Sequence, residues 1–565
     1  MSSNRALLIF ALLAASLGAC TSSRQAAPPP PLQSDAALPP NAPVMPAAPS
    51  MQPAADTTLL PVDPNVRTGI LPNGVRYYIR HNEEPRDRAE LRLAVDAGTA
   101  MEDPGQYGAA HFVEHMLFNG TEHFPKQSLV NFLERTGMKF GADVNAYTAL
   151  DETVYQLTIP TDSTDIVTKS FEVLEDWAAH ATLSPEEVAK ERGVIVEEWR
   201  ARRENVQGRI LEQRYPFLLR GSSYADLLFA ATPDVIRSTT SEELRQFYET
   251  WYRPELMAVV AVGDFDVDRY EQLIKEHFSN LTDPADPTAR PDLSVPARTA
   301  PSYLVIADEE YPYTTVEINY IRPSEEDSTV AQYRKHLIDG LANGMLNQRF
   351  SDITHQPNPP FLGASVHSYD VVRPTQVYGL FAQVQEDSIL TGLEALATEA
   401  ARARRYGFTT TELARRKSEV LRAYEKAYAE RENTNSAGYA REYVSNFLEG
   451  EPIPGIAYEY ELVQKLLPQI TVQDVNRRAD RLLADSNRAV IVTMPEKDGL
   501  AKPTEEQLAA VFQQVEQKQV EPYVDTVTDE PLVSSVPAPA AVTSTKTTPE
   551  LGVTEITLTN GVHVV

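Results

Sequence analysis

The sequence predicts an α+β fold made of two domains of similar size. Short runs in which apolar and polar residues alternate, typical of strands, are mixed with longer amphipathic runs typical of helices. This mixture fills residues 61–290 and recurs over 291–520, so we place one domain in each range. The 565 residues also suit several domains of about 100–200 residues each.

The end of the chain repeats the pattern at the start of the first domain. Leu71–Tyr78 and Leu558–Val565 each place an Asn-Gly pair, which favours a turn, directly before a run typical of a strand. A stretch rich in Pro, Val, Thr and Ala precedes the second copy. We therefore predict a linker at 521–550 and the first strand of a truncated further domain at 551–565, and we expect the chain to be an incomplete protein.

The elements of the first domain follow from local patterns. Its predicted strands are Arg76–Arg80, Glu90–Ala97, Thr153–Ile159 and Leu256–Val262. Ala109–Phe118 has a helical pattern that ends at an Asn-Gly pair. A second helix is predicted to begin at Ser184 and to run to about Gly208, because Ser at the N-cap, Pro at N1 and Glu at N3 form a strong start signal.

The same patterns predict the second domain, which follows a proline-rich join at Asp283–Pro301. Its predicted strands are Tyr303–Ile306, Thr314–Tyr320, Gln376–Gln385 and Arg488–Met494. Its predicted long helices are Val330–Ile353, Thr410–Arg431 and Ser436–Leu448.

The composition excludes several classes of protein. Hydrophobic residues make up 42% of the chain and charged residues 23%, which is enough apolar material for a sizeable core. The net charge of −29 repels phosphates, so we expect no nucleic-acid partner. The single cysteine, Cys20, excludes an internal disulfide framework, a cysteine-rich zinc site and a thiol nucleophile in the folded part.

The N-terminus has the pattern of a targeting signal. A short basic segment is followed by the apolar run Ala6–Ala19 and then by Cys20. Small residues directly before a lone cysteine resemble a bacterial lipobox, so we predict a lipoprotein signal peptide at 1–20 with Cys20 as the lipidated residue; an ordinary signal peptide is the alternative. Thr21 in place of Asp favours the outer membrane, facing the periplasm. Residues 21–60, which are rich in Pro and Ala, are predicted to be a disordered tether.

The first predicted helix carries a polar stripe. His111 and His115 are four residues apart, so both rings project from one face, and Glu114 lies between them. The remaining residues of the helix are mostly apolar, which indicates that it is buried, and burying these polar groups without partners costs several kcal/mol. A bound cation removes that cost, and two imidazoles at this spacing suit Zn²⁺. The alternative is a pair of helix histidines satisfied by local hydrogen bonds.

A catalytic zinc site needs a third protein ligand and an open position for water. Three glutamates on the helix that begins at Ser184 are candidates. Glu191 and Glu198 are seven residues apart and share one face, whereas Glu197 lies about 100° away. The spacing alone leaves all three open, and ordinary solvated glutamates are the alternative.

Several runs resemble the pitrilysin/insulysin family of inverzincin metallopeptidases, which includes bacterial periplasmic zinc proteases and the mitochondrial processing peptidase. The H-x-x-E-H order of the stripe is typical of the inverzincins. The resemblance covers most of 61–290 and is weaker in 291–520. The runs that carry it are Gly108–Pro125, Gly141–Leu157, Glu191–Arg200, Phe247–Asp264 and Leu341–Phe350.

The family pairs two glutamates seven residues apart, of which the second binds zinc and the first supports the site. Carried over, Glu198 is the third ligand and Glu191 orients a ligand histidine. The interval from His115 to Glu198 is a few residues longer than in the family. An insertion near Leu183–Glu187 accounts for this, and Glu197 stays the alternative ligand.

The resemblance implies a mechanism for a zinc-dependent endopeptidase. One Zn²⁺ per chain, held by His111, His115 and Glu198, supplies a bound water as the nucleophile and polarises the scissile carbonyl. Glu114 is the general base that takes the proton of this water. Another divalent metal in place of zinc stays open.

The resemblance also implies how a substrate binds. Asp143–Thr148 is similar to the edge strand of the family, to which an extended peptide adds by main-chain pairing. The substrate-binding residues are then Asn145, Ala146, Tyr147 and Thr148, whereas an ordinary strand with a core tyrosine is the alternative.

At the level of the whole protein, the resemblance implies two similar α/β-sandwich domains forming one half of a clamshell peptidase, with zinc in the first domain. A second peptidase half is expected either in the full-length chain or as a separate subunit. The predicted function is hydrolysis of peptides or unfolded polypeptides by a lipid-anchored protein of the bacterial cell envelope. The alternative is a catalytically inactive assembly or peptide-binding lipoprotein of the same fold.

Overall fold

The computed structural model describes residues 57–525, apart from 127, 285, 485 and 486, together with 533, 535 and 538–565. The predicted signal peptide, the predicted lipidation site Cys20 and the predicted tether up to residue 56 lie outside the described residues. The chain divides into two compact units between Tyr523 and Val524. None of the helices formed by the described residues combines the length and apolar character needed to cross a bilayer.

A mixed sheet forms the centre of the first domain. Its strands are β1 (Val66–Ile70), β2 (Arg76–His81), β3 (Arg88–Val95), β4 (Val144–Thr148), β5 (Thr153–Pro160) and β6 (Met257–Gly263). The order across the sheet is β1-β2-β6-β3-β5-β4, in which β2 and β6 are parallel and the other neighbours are antiparallel. The central strand β6 is buried along its whole length, as its continuous apolar sequence requires, whereas β4 lies at the edge.

Helices cover one face of this sheet. The helices of this domain are α1 (Ala109–Asn119), α2 (Ser128–Arg135), α3 (Thr164–Ala179), α4 (Pro185–Arg203), α5 (Val206–Leu218), α6 (Ser223–Leu227), α7 (Pro233–Ser238), α8 (Ser241–Trp251) and α9 (Val267–Phe278). Of these, α1, α3 and α9 pack directly on the strands of the first sheet. Phe112 of α1, Trp177 of α3 and Phe278 of α9 join the strand residues Leu93 and Val259 in one hydrophobic core. This core fixes α1 against the sheet.

The second domain repeats the connectivity of the first. Its strands are β7 (Ser302–Asp308), β8 (Thr314–Pro323), β9 (Gly363–Val372), β10 (Thr375–Val384) and β11 (Arg488–Pro495). They are ordered β7-β11-β8-β10-β9. Strand β11 is parallel to β7, as β6 is parallel to β2 in the first domain. Its helices are α10 (Val330–Thr354), α11 (Ile389–Tyr406), α12 (Thr410–Ala429), α13 (Ser436–Glu449), α14 (Ile456–Leu466), α15 (Val472–Leu482) and α16 (Glu505–Gln517).

One helix of the second domain covers the other face of the first sheet. Tyr439 and Tyr443 of α13 pack with Tyr78, Val154 and Val260 of the strands in a separate hydrophobic cluster. The first sheet is therefore enclosed on both faces, and its edge strand β4 lies next to elements of both domains.

The structure confirms the predicted α+β class and differs from the prediction in local details. The helix predicted to run from Ser184 to about Gly208 is two helices, because Asn205 ends the first and caps the second by accepting from the backbone N–H of Gly208 at 2.9 Å. Ser184 precedes Pro185 as predicted, but its side chain makes no capping hydrogen bond within the described chain.

Two stretches predicted to lack regular structure are partly ordered. Leu59 and Leu60, at the end of the predicted tether, pair with the backbone at Ser328 and Thr329, although Leu59 stays exposed. In the second unit, β12 (Val542–Thr548) lies inside the predicted linker and pairs with β13 (Val553–Leu558), which pairs with β14 (His563–Val564). The β-branched residues of β12 favour this extended conformation.

Candidate metal centre

The helix α1 is held at both ends. Its N-cap, Gly108, has a φ of +88°, a left-handed conformation that glycine adopts without strain. The carboxylate of Glu102 accepts from the backbone N–H groups of Gly108 and Ala110 at 2.8 and 3.0 Å, which satisfies two donors that the first turn leaves unpaired. At the other end, Trp177 donates from Nε1 to the carbonyl of Leu117 at 3.1 Å. The histidines of α1 therefore project from a rigid support.

The structure brings His111, His115 and Glu198 together. Nε2 of His115 lies 3.1 Å from Oε2 of Glu198, and Nε2 of His111 lies 3.7 Å from Oε1 of the same carboxylate. Among the described residues, these three form a group whose possible ligand atoms all lie within 4.8 Å of one another. Tetrahedral zinc with bonds of about 2.0–2.2 Å holds its ligand atoms about 3.4 Å apart, so the donor set fits a zinc ion.

The neighbouring glutamate, Glu197, points elsewhere. Its side chain is 69% exposed and bonds to Arg200 at 2.5 Å, whereas the side chain of Glu198 is 25% exposed. Glu198 also pairs with Arg202 one turn further along α4. The structure therefore places the second glutamate of the seven-residue pair, and not Glu197, beside the histidines.

Glu191 orients one of these histidines. Nδ1 of His115 donates to Oε1 of Glu191 at 2.8 Å, which orients the ring so that Nε2 faces Glu198 and His111. Asn119 at the end of α1 donates from Nδ2 to Oε2 of Glu191 at 2.6 Å. Asn119 was read from the sequence as part of a turn, and its contact with Glu191, 72 residues away, has no local signal.

The electrostatics of the cluster favour charged groups. Burial lowers the pKa of His115, but its hydrogen bonds to Glu191 and Glu198 outweigh this and raise the pKa to about 9. Burial raises the pKa of Glu198, but hydrogen bonds to His111 and His115 bring it well below its usual range. Glu191 also has a lowered pKa, because its bonds to His115 and Asn119 outweigh burial. Carboxylates that stay ionised in this way are suited to a cation.

Glu114 is buried beside the cluster and is held by Thr148. The hydroxyl of Thr148, at the end of β4, donates to Oε2 of Glu114 at 2.6 Å, which leaves Oε1 for other partners. Thr148 was predicted to bind substrate as part of the edge strand, and its hydroxyl has a second contact, with Glu114. The sequence could not show this, because the two residues belong to different elements.

The other predicted substrate-binding residues lie on the edge strand. Asn145 and Tyr147 are exposed on β4, Ala146 is half-buried, and one side of the strand has no partner strand among the described residues. Oδ1 of Asn145 accepts from the backbone N–H of Ala146 at 3.0 Å. A cavity of about 1520 Å³ runs alongside and is lined by His111, Glu198 and β4 from the first domain and by residues of β9, α10 and α13 from the second.

Two family descriptions match the chain. Residues 77–231 match Insulinase (Peptidase family M16), and residues 238–420 match the Peptidase M16 inactive domain. The first match includes all the residues of the metal centre.

Known proteins are similar over most of the chain. "Zinc protease PQQL-like" from Arabidopsis thaliana is 34% identical over 497 residues, which are 88% of this chain and 49% of the relative. "Probable zinc protease PqqL" from Escherichia coli is 30% identical over 513 residues, which are 90% of this chain and 54% of the relative. The crystal structure of the periplasmic protease PqqL from Escherichia coli superposes with a TM-score of 0.79 at 28% identity and covers 90% of this chain and 56% of that chain.

The chain thus spans about half the length of the curated relatives it matches. The crystal structure of the first half of PqqL from Escherichia coli has a TM-score of 0.78 and 28% identity, and it covers 83% of this chain and 100% of that chain. Sequence, fold and family matches agree on one assignment. The chain belongs to the insulinase family of peptidases, family M16.

Proposed function

We propose that this chain is a zinc-dependent endopeptidase that hydrolyses peptides or unfolded polypeptides. One observation carries the proposal: His111, His115 and Glu198 converge on one point, His111 and Glu198 line a large cavity, and Glu114 lies between the histidines on α1. The family and the relatives described as zinc proteases support the same reaction.

His111, His115 and Glu198 would hold the metal. Zinc at such a site acts as a Lewis acid that activates water and polarises a carbonyl. Three protein ligands leave a fourth position open, as catalytic zinc requires, whereas structural zinc is normally closed by four. Glu191 contributes by keeping His115 in the orientation that presents Nε2 to the site.

Glu114 is proposed as the general base. Because Thr148 occupies Oε2, the proton of the attacking water goes to Oε1, and the same carboxyl then returns it to the leaving amine. Water is the nucleophile, so the peptide bond breaks to give a carboxylate and an amine. The position of Glu114 between the two histidines on α1 places this transfer next to the metal ligands.

The edge strand is proposed to bind the substrate in an extended conformation. The free side of β4 offers main-chain groups of Ala146 and Thr148 for pairing, as in strand addition, because those of Asn145 and Tyr147 face β5. The cavity of about 1520 Å³ exceeds the range of about 300–1,000 Å³ that is usual for small-molecule sites, and so it suits a peptide segment.

Location and partners extend the proposal. We propose that the protein works in the bacterial cell envelope, anchored through a lipid at Cys20 and facing the periplasm; the related protease from Escherichia coli is described as periplasmic. Because the curated relatives are about twice as long, we also propose that a second peptidase half, in the same polypeptide or as a separate subunit, closes the cavity.

The test is cleavage of a mixed set of unstructured peptides by the zinc-loaded chain, followed by mass spectrometry. Glu114→Gln should retain zinc and lose cleavage by about 10²–10⁴-fold, the usual contribution of a general base. Glu122→Gln, in the loop after α1, is the matched control and should cleave normally. Cleavage by Glu114→Gln at the rate of the unaltered chain would refute the general base. Zinc uptake without any cleavage would count against activity of this chain in the absence of the proposed second half.

A further inference from the structure

An arginine of the second domain reaches the edge strand of the first. Arg373 and Pro374 form the two-residue tip of the hairpin between β9 and β10, since Val372 pairs directly with Thr375 across the turn. This hairpin is the second-domain counterpart of the hairpin that joins β4 and β5. Its tip contacts the first domain through Arg373.

The tip is fixed rather than free to move. Val371 and Val372 are buried, and both belong to a hydrophobic core that they share with first-domain residues such as Leu93 and Val259. The carbonyl of Pro374 also accepts from the backbone N–H of Ser324 at 3.0 Å. The guanidinium of Arg373 is therefore presented from an anchored backbone.

Arg373 bonds to the turn that follows β4. Its Nη2 donates to Oε2 of Glu152 at 3.0 Å and to the carbonyl of Asp151 at 3.3 Å. Its Nη1 donates to Asp96, which also pairs with Arg290. The side chains of Arg373 and Glu152 are only 23% and 16% exposed, so the pair is shielded from water.

The same turn is attached to the candidate catalytic residues. Ala149 donates from its backbone N–H to the carbonyl of Glu152 at 2.8 Å, which closes the turn. Directly before it, Thr148 pairs with Thr153 and donates its hydroxyl to Glu114. Three residues thus separate Thr148 from Glu152, the residue that Arg373 binds.

On its other side the turn packs against the segment after β3. A methyl group at Gly98 would lie 2.3 Å from the carbonyl oxygen of Ala149, and Thr99 donates to that carbonyl at 3.0 Å. Displacement of the turn is therefore blocked on one side by backbone and opposed on the other by Arg373.

We propose that Arg373 is a positioning residue, through which the second domain fixes the turn at 149–152 and with it the substrate edge strand and the Thr148–Glu114 hydrogen bond. This inference rests on the proposed function for its catalytic meaning. It assigns to the second domain a direct part in preparing the active site of the first.

Hydrogen–deuterium exchange of the zinc-loaded chain tests the proposal without requiring cleavage. In Arg373→Met, amide exchange in residues 144–153 should be about tenfold to a hundredfold faster, the scale of losing hydrogen bonds to a charged group. Zinc affinity should stay within about twofold, because the ligands lie on α1 and α4. Arg373→Lys keeps the charge and should restore part of the protection.

The matched control is Arg209→Met. Arg209 also joins the two domains, since it binds Asp308 at 2.7 and 2.8 Å and Glu310 at 2.7 Å, but it does not contact the turn. It should leave exchange in residues 144–153 unchanged. If both variants loosen the first domain equally, or if Arg373→Met leaves the hairpin protected, the proposal is wrong.

A double variant separates the loss of the Arg373 contacts from the cost of leaving the carboxylate of Glu152 unpaired. Arg373→Met combined with Glu152→Gln removes the unpaired buried carboxylate, but the turn at 149–152 still lacks its contacts with Arg373. Fast exchange should therefore persist, and restored protection would overturn the proposal. Where the unaltered chain cleaves peptides, Arg373→Met should lower kcat/KM about tenfold or more, by raising KM through the loosened edge strand and lowering kcat through the weakened Thr148–Glu114 hydrogen bond. Absence of cleavage in the unaltered chain would count against the proposed function and leave the exchange result decisive for Arg373.

Discussion

Replacement of Glu198 by Gln should weaken zinc binding far more than the same change at Glu197. Zinc sites with four protein ligands bind with apparent free energies of about 10–16 kcal/mol, or about 3 kcal/mol per ligand. At about 1.4 kcal/mol per tenfold, loss of one ligand corresponds to roughly a hundredfold weaker affinity. Glu198 lies 3.1 and 3.7 Å from the histidine nitrogens, so we expect a loss of about a hundredfold in Glu198→Gln.

The neighbouring residue is the control because it differs from Glu198 by one position and has the same chemistry. The side chain of Glu197 is 69% exposed and pairs with Arg200, so Glu197→Gln removes only a screened surface charge and should change zinc affinity by less than about threefold. Competition with a chromophoric chelator measures both constants, and circular dichroism shows whether each variant is folded. Equal losses in the two variants, or a larger loss in Glu197→Gln, would refute the assignment of Glu198 as a ligand.

Three further outcomes are expected. Thr148→Val removes the hydroxyl that holds Glu114, the proposed general base, and should lower kcat about tenfold with unchanged zinc affinity. Thr148→Ser should restore kcat; peptide kinetics and chelator competition measure both effects. Asn119→Ala removes a donor to Glu191 and should weaken zinc binding about tenfold to a hundredfold, and unaltered affinity would contradict the supporting role. The hydrogen bond to buried Asp176 raises the pKa of His123, so this pair stabilises the fold fully below pH about 6.5 and the effect is lost as the pH rises through the raised pKa. We expect His123→Gln to reduce this pH dependence of the free energy of unfolding by less than about 1 kcal/mol, because His123 is 45% exposed. Thermal unfolding at several pH values measures this, and an unchanged dependence on pH would contradict a stabilising His123–Asp176 pair.

Features encoded in consecutive residues could be predicted from the sequence. The helix predicted at Ala109–Phe118 ends one residue later, at Asn119, because the apolar pattern and the following glycine define it locally. The spacing of the glutamates on α4 likewise placed Glu191 and Glu198 on one face, since helical geometry is the same in every context. The family resemblance then connected the two helices and indicated the candidate metal centre.

Features that depend on contacts between distant segments could not be predicted. Nothing near Thr148 indicates that it bonds to Glu114, because that contact requires β4 and α1 to be packed side by side. Arg373 and Glu152 are 221 residues apart and belong to different domains. The strand β12 was hidden for another reason, since the prolines before it favoured the prediction of a linker.

The second domain shows that the fold itself does not require the polar stripe of α1. The helix α10 lies between β8 and β9 as α1 lies between β3 and β4, and α12 packs against α10 as α4 packs against α1. Where α10 and α12 meet, the buried side chain of Arg349 donates to both oxygens of Glu412, at 2.7 and 2.9 Å. The guanidinium of Arg349 is therefore the positive charge that pairs with this buried carboxylate.

In the first domain the junction holds two imidazoles and a carboxylate at one point. A guanidinium can only donate hydrogen bonds, and it satisfies carboxylates well, but it does not organise two imidazole nitrogens and a carboxylate around a common centre. A metal ion accepts all three lone pairs at once. The same framework therefore uses an ion pair where only stability is needed, and it presents His111, His115 and Glu198 where chemistry is proposed.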